Sequence, residues 1–247
     1  MRILKIILPV LLLSFGLSAQ NAYDIVKKSD NKLRSATSFA KIKITAVRPS
    51  WSKEMTIKTW TKNSNYSVAL VTSPAKEKGI VFLRRDKEVW NYVPSISRTI
   101  KLPPSMMTQG WMGTDLTNDD MIKQSSILVD YNHKIAGEEL IDGHKTWKIV
   151  LTPKENAAVI WGKIILWIDK EEYNQLRGEY YDEDNFLINK LISSKIKEFD
   201  GRKIPSHIEF IPEDNPGNKT LIDYLDLNFK IKIPEKYFTT AYMKRLR

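Results

Sequence analysis

From Phe39 almost to its end, this chain places apolar residues at every second position, and that period of two restricts the fold more than any other feature. Ile42, Ile44 and Ala46 alternate with Lys41, Lys43 and Thr45. Successive side chains of a strand point to opposite faces, so the pattern reads as a strand with one face buried. Residues 54–62, 66–72, 79–85, 88–93 and the short 97–101 are further strand candidates. The later half continues over 132–140, 145–152, 162–169, 175–182, 187–199, 203–212 and 220–233. The last carries the cleanest alternation, with Leu225, Leu227, Phe229, Ile231 and Ile233 set against Asp226, Asn228, Lys230 and Lys232. Turn signals divide the strands at Asp142-Gly143, Asp182-Glu183-Asp184-Asn185, Asp200-Gly201 and Asn215-Pro216-Gly217. Ten or more short strands with one-sided burial predict a mainly β (α+β) chain built on one antiparallel sheet, strongly curved or partly closed. A single helix is expected before it over 21–35, where Ala22, Ile25, Val26, Ser29 and Leu33 recur at helical spacing behind an Asn21 cap. No linker, low-complexity tract or fixed-period repeat divides the chain, so one domain over 20–247 is expected.

The first residues follow a different rule. Arg2 and Lys5 precede an apolar run over 6–17, and Leu17-Ser18-Ala19 supplies small residues before Gln20. This is the pattern of a secretory signal peptide cut after Ala19. The run of 12 residues is shorter than the ~20 needed to span a membrane. An exported, soluble protein is expected, without a lipid anchor, because no cysteine stands at the cleavage site. The whole chain of 247 residues contains no cysteine. That removes disulfides, thiolate metal sites and cysteine nucleophiles, and leaves the core to hold the fold. The net charge of +10 falls to +8 once Arg2 and Lys5 are gone. Its lysines are scattered, which fits an ordinary solvated surface, with transient contact to anionic lipid as the alternative, and export makes nucleic acid a poor partner.

Catalytic chemistry is hard to find. His133, His144 and His207 lack metal-ligand spacing, and no phosphate loop, nucleophile elbow or His-Glu-x-x-His occurs. The Asp182-Glu183-Asp184 cluster lies between Tyr180-Tyr181 and Phe186-Leu187, where a hairpin turn is expected, and Thr117 with Asp120 reads as a capping box. A binding protein is expected, with no enzyme activity, cofactor or metal. An outer-membrane barrel fits poorly, because many strands carry lysine where a lipid-facing band would be.

One segment breaks the strand grammar. Residues 103–122 hold Met106, Met107, Met112, Met121 and Trp111, whereas a long connection out of a sheet is normally polar. The segment reads either as a plug in the core or as a lid over an apolar cavity, since methionine adapts to cargo without fixed shape. Trp90 and Tyr92 share a strand face with Phe82 expected nearby, Trp60 stands on the polar face of its strand, and Trp147 and Trp167 add further rings. A curved sheet so rich in large apolar groups makes a ligand cavity. The expected binding set is Trp60, Phe82, Trp90, Tyr92, Met106, Met107, Trp111, Met112, Trp147 and Trp167.

The runs Lys78-Gly79-Ile80-Val81-Phe82-Leu83, Glu88-Val89-Trp90-Asn91-Tyr92-Val93-Pro94 and Trp111-Met112-Gly113-Thr114-Asp115-Leu116-Thr117-Asn118-Asp119-Asp120 resemble the outer-membrane lipoprotein-sorting protein family. Trp167-Ile168-Asp169 and Leu176-Arg177 with Glu179 continue the likeness. The resemblance implies an incomplete β-barrel whose concave apolar face is covered by an N-terminal helix and a helical or loop lid. It also implies a periplasmic carrier or chaperone that takes acyl chains of lipoproteins or other lipids toward the outer membrane. Inner-membrane donor and outer-membrane acceptor proteins would be its partners. The alternative is an envelope-stress sensor or regulatory lipid-binding protein acting through a protein partner.

Overall fold

The computed structural model describes residues 21–246 apart from 64, 87, 108, 119–125 and 158. The expected signal peptide, Met121 and the Asp119-Asp120 pair lie outside the described residues. Helix α1 (Ala22–Asn31) is capped as the sequence predicts, the Asn21 side chain accepting the Asp24 N–H at 2.8 Å. Its buried stripe of Ala22, Ile25 and Val26 packs on Tyr131, Ile149, Leu151, Ile164, Leu166 and Ile168.

The strands are β1 (Thr37–Arg48), β2 (Trp51–Lys62), β3 (Tyr66–Ser73), β4 (Val81–Arg85), β5 (Glu88–Val93) and β6 (Arg98–Lys101) in the first half. A short helix α2 (Ser126–Val129) precedes β7 (Tyr131–Ile141), β8 (His144–Pro153), β9 (Lys163–Asp169), β10 (Gln175–Tyr181), β11 (Leu187–Phe199), β12 (Arg202–Pro212) and β13 (Lys219–Asn228). All belong to one sheet of 13 strands in the order β6-β5-β4-β3-β2-β1-β13-β12-β11-β10-β9-β8-β7. Every pairing is antiparallel, and β6 and β7 are left as free edges, so the barrel is incomplete. The first and last strands meet in the middle.

The register assigns each face. Ala40, Ile42 and Ile44 of β1 lie beside Thr59, Ile57 and Met55 of β2, and Thr59 and Ile57 lie beside Ala69 and Val71 of β3. This inner face also receives α1. On the outer face, Val68 and Leu70 of β3 neighbour Leu83 and Val81 of β4, which in turn neighbour Trp90 and Tyr92 of β5. Phe82 pairs with Asn91, so it points to the inner face, away from Trp90 and Tyr92. The period of two separates residues one apart in sequence, and Phe82 stands one position from Leu83.

The expected strand 220–233 ends at Asn228, although the alternation runs on. Beyond the Phe39–Asn228 pair β1 offers little more ladder, and side chains take over the backbone: the Phe229 N–H donates to Asp200 and the Phe229 carbonyl accepts from Ser35. From there the chain crosses to the outer face. Ile233, Tyr237, Phe238, Tyr242, Met243 and Leu246, carried partly on helix α3 (Thr240–Met243), cover Val68, Leu70, Val81 and Leu83. Trp60 sits against Tyr237 with ring centroids 5.7 Å apart, and Tyr66 against Phe238 at 5.9 Å. The apolar positions after Asn228 therefore form the second layer over the outer face. Phe238→Ala is expected to lose about 3–5 kcal/mol, read as a lower urea midpoint; an unchanged midpoint would mean the tail is only loosely held.

The centre of the outer face is ionic. His207 of β12 lies 2.7 Å from Asp223 and 3.5 Å from Glu209, while Lys219 and Lys43 approach Glu209 at 2.8 Å and Asp223 at 3.6 Å. Burial opposes ionisation of Asp223, but the hydrogen bond and charge of His207, with Lys43, outweigh it and hold the carboxyl below its ordinary 3.8. The Lys219 hydrogen bond holds Glu209 below its ordinary 4.5. Depressed carboxyls stabilise the fold fully above those ordinary values and lose that contribution as pH falls through the folded-state values. Unfolding by urea at a series of acidic pH values is expected to show a shallower loss in Asp223→Asn than in the parent. Parallel acid limbs would disprove the assignment.

Candidate ligand cavity

The inner face encloses a cavity of about 410 Å³. Its walls carry Ala40, Ile42 and Ile44 of β1, Ile57 of β2, Ala69 of β3, Leu166 of β9, Leu191 of β11, Ile204 and Ile208 of β12, and Ile222, Tyr224 and Leu227 of β13. Strands β3 and β9 are seven positions apart in the sheet order, about 34 Å if the sheet were flat. That both reach one small cavity shows how strongly the sheet curves. Space remains because the wall is built from small groups where a filled core would carry Leu or Phe. Ala40, Thr59, Ser67, Ala69 and Ser193 are the residues that leave it empty.

The two ends differ. At the end where α1 stops, Ser29, Asp30, Lys32, Arg34, Ser35, Ser38, Thr61 and Asn63 form a hydrophilic mouth. Its charges are mutually paired: Arg34 holds Asp30 in a bidentate contact and Lys32 reaches Glu172 at 3.1 Å. Arg202 fixes the turn, donating to the carbonyls of Lys32 and Arg34 at 2.9 and 2.8 Å. The opposite end is closed by Leu116 and, behind it, Trp111. Trp111 is 2% exposed and packs on Ile44, Met55, Ile57 and Val71, with the Phe82 ring 5.5 Å away.

The Trp111 loop is pinned by polar contacts. Arg48 donates to Asp115 at 3.0 Å and to the Gly113 carbonyl at 2.9 Å, and Lys53 donates to the Met112 carbonyl at 3.2 Å. Thr220 of β13 accepts the Asp115 N–H at 2.9 Å and donates to its carboxylate at 2.8 Å. Asn118 ties the loop to its own start through the Met106 carbonyl at 2.9 Å. In this arrangement the loop is a plug. Trp111→Ala is expected to lose about 3–5 kcal/mol in chemical unfolding; a loss below about 1 kcal/mol would show that the ring is not part of the core.

The singled-out aromatic and methionine residues that are among the described ones are distributed over both faces, and none of their side chains lines the large cavity. Trp60, Trp90 and Tyr92 pack beneath the C-terminal tail on the outer face. Phe82 and Trp111 share the inner face and border a smaller void of about 40 Å³ with Arg84 and Asn118. Met112 packs on that same cluster, and Met106 and Met107 are half-buried in the loop. Trp147 is on the inner face beside α1, stacked against Tyr173 at 5.5 Å. Trp167 is on the outer face, between Lys148 at 5.0 Å and Arg177 at 4.8 Å, with its indole N–H donated to Glu139. The residues that do line the cavity were visible in the sequence only as ordinary strand positions. Their one distinguishing signal is the run of small side chains on a face that otherwise reads as core.

Three polar groups at the cavity have no protein partner. Asn174, 2% exposed, and Gln175 leave their amide nitrogens unpaired and buried. The Tyr224 hydroxyl makes no hydrogen bond, and burial raises its pKa, so it stays a neutral phenol. Among the described residues no group of three or more acidic or histidine side chains could hold a metal ion, and no helix is long and apolar enough to cross a membrane.

Comparison with known proteins agrees with this architecture. A DUF1329 family protein of Desulfovibrio piger superposes with a TM-score of 0.82 at 23% identity, over 90% of this chain and 97% of that one. A domain assigned as an outer membrane lipoprotein-sorting protein from Vibrio parahaemolyticus gives 0.79 at 18% identity, over 91% and 98%. A LolA superfamily protein of Nitrosomonas europaea gives 0.75 at 22%, over 91% and 100%. A search of curated proteins finds no match. Residues 63–245 match the model of a family described only as an uncharacterized protein. The chain belongs to that family, and its fold is the one shared by the LolA-superfamily and lipoprotein-sorting structures.

Proposed function

We propose that this protein is a periplasmic carrier that holds an acyl chain of a lipoprotein or another lipid in the cavity of its concave face. The observation that carries the reading is the cavity itself: apolar walls, a closed end at Trp111 and Leu116, and one hydrophilic mouth. An amphiphile entering tail first would bury its chain and leave its polar part among Ser, Thr, Asn and paired charges. The fold likeness supports a lipid- or lipoprotein-binding role. At about 30 Å³ for each water- or methylene-sized group, the roughly 410 Å³ holds on the order of a dozen carbons. Burying them would return ~0.8 kcal/mol each, or roughly 10 kcal/mol before losses of motion.

Export through a cleaved signal peptide, delivery toward the outer membrane, and inner-membrane donor and outer-membrane acceptor proteins complete the proposal. No catalytic step is assigned to the cavity. The Trp111 loop serves as its fixed end wall, and cargo passes through the mouth formed by residues 29–35.

The test is to fill the space. Ala40 lies on the wall beside Ile204 and Leu227. Ala40→Phe is expected to reduce affinity for a fluorescent acyl probe at least about tenfold, while the unliganded protein keeps its melting temperature or gains in stability. Met106→Ser and Met107→Ser are expected to leave that affinity within about twofold, because neither side chain reaches the wall. Probe binding that survives Ala40→Phe but fails in the methionine variants would place the cargo under the loop instead. A parent protein that takes up no probe would end the carrier reading.

A further inference from the structure

We propose that the outer face of β1–β5, together with the C-terminal tail laid across it, is a docking surface for an anionic lipid bilayer. This surface is separate from the cavity, and its role holds whatever the cavity carries. The tail is an amphipathic cover. Phe238, Met243 and Leu246 are buried against Val68, Leu70, Val81 and Leu83, while Lys236, Lys244 and Arg245 of the same segment are exposed. Three cations of the sheet join them. Lys58 of β2 stands beside Leu70 of β3, which the tail covers, and directly opposite Lys41 of β1. Arg85 of β4 stands beside Tyr66, whose ring packs on Phe238.

The charges here are not balanced as they are on the rest of the outer face. There, Lys148, Arg177, Lys190 and Lys219 each have a carboxylate partner. Lys41, Lys58, Arg85, Lys236, Lys244 and Arg245 form no ion pair among the described residues. Glu235 and Glu88 are already held by Lys62 and Lys101. Asp226, opposite Lys41, and Asp86, next to Arg85 in sequence, are too few to cancel the six cations. Like charges directly opposite on a ladder, as Lys41 and Lys58 are, cost stability. Folding alone would favour an acid at one of the two positions, whereas an anionic surface uses both.

Two further features fit a bilayer better than an acidic protein. Half-buried rings lie among the cations: Tyr237 and Tyr242 stack at 4.7 Å, Lys236 stands 5.7 Å from the Tyr242 ring, and Lys101 stands 5.8 Å from that of Trp90. Rings with one apolar and one wet side, mixed with lysine, suit the level of lipid headgroups. The position of the surface also matters. Lys62 lies between Thr61 and Asn63, both on the rim of the mouth, so docking sets the mouth next to the lipid. Each cation near an anionic leaflet strengthens binding by about fivefold, and a few such contacts give an attachment that salt can release.

The experiment is co-sedimentation of the chain from Gln20 onward with vesicles of phosphatidylcholine alone, or of phosphatidylcholine with about 30 mol% phosphatidylglycerol. Binding is expected only to the anionic vesicles, and is expected to be lost at ~1 M salt, where the screening length falls to about 3 Å. The double variants Lys244→Gln/Arg245→Gln and Lys41→Gln/Lys58→Gln are each expected to weaken it at least about tenfold. Lys134→Gln/Lys145→Gln removes the same charge from exposed positions on β7 and β8 and is expected to change binding by no more than about twofold. The Lys41/Lys58 variant also relieves a like-charge pair, so its melting temperature is expected to hold or rise; a fall would make those lysines structural and overturn their assignment. Equal weakening in the β7–β8 control would reduce the effect to net charge and overturn the docking surface. Equal binding to neutral vesicles, or none to anionic ones, overturns it as well, and binding of poly-glutamate without binding of vesicles would assign the surface to an acidic protein instead. None of these outcomes bears on uptake of an acyl probe, so the carrier reading stands or falls separately.

Discussion

The pairing of β1 with β13 holds this molecule together. The first strand and the last are separated by most of the chain, yet their ladder runs from Phe39–Asn228 to Val47–Lys219 and joins the meander β1–β6 to the meander β7–β13. Without it there would be two open sheets, each with a long exposed apolar face. With it, one sheet curves far enough for β3 and β9 to share a cavity. The shift in register between Lys41 and Ile42 adds twist where the two halves meet, because the extra residue of a bulge bends the strand that carries it. The same irregularity turns Tyr224 inward. Ladder and plug are also joined, since Thr220 of β13 binds both the N–H and the carboxylate of Asp115 in the Trp111 loop.

Each face of the curved sheet then has its own cover. The outer face of β2–β5 is covered by the chain's last residues, and the inner face by α1 at one side and Trp111 at the other. What stays uncovered between α1 and Trp111 is the cavity. A fold of ordinary stability can carry such a void when the rest of the core is closely packed, as Ile44, Met55, Ile57, Val71, Ile149 and Leu151 are here, each 2% exposed or less.

The alternation of residues was enough to read the strands, the antiparallel sheet and the capped first helix, because one-sided burial leaves a period that survives without any tertiary information. It could not tell which face is concave. In β3 both faces are buried, Val68 and Leu70 under the tail and Val71 toward Trp111, so hydrophobicity alone does not separate the two. Large aromatic residues drew attention to Trp60, Trp90 and Tyr92, which serve the outer core. The cavity is marked instead by what is missing, at Ala40, Ser67, Ala69 and Ser193. Small residues on an apolar face are a weak signal in one sequence, since alanine and serine are also common on solvated strands. The end of β13 was hidden for a related reason: Phe229, Ile231 and Ile233 keep the period of two while the chain leaves the sheet for its outer surface.

The mouth and the tail are linked through the same short stretch. Ser35 donates to the Phe229 carbonyl at 2.8 Å and Thr37 to that of Ile231, while Arg202 holds the carbonyls of Lys32 and Arg34 and stacks over the Phe229 ring at 3.9 Å. Residues 32–36 lie between α1 and β1 and take part in neither ladder nor helix. Apart from the pairs Lys32–Glu172 and Arg34–Asp30 and the Asn63 N–H donated to the Ala36 carbonyl, their hold on the rest of the molecule is contacts with the start of β12 and with residues 229–231. Segments held this way open at lower free energy than strands inside a ladder. A cargo passing the mouth would disturb these contacts and leave the thirteen-stranded sheet intact. The chain that runs from Phe229 to Phe238 would feel the disturbance next, because it leads directly from the mouth to the cover of the outer face. Curvature thus places mouth, cavity and plug along one concave face, and the last strand connects that face to the layer on its opposite side.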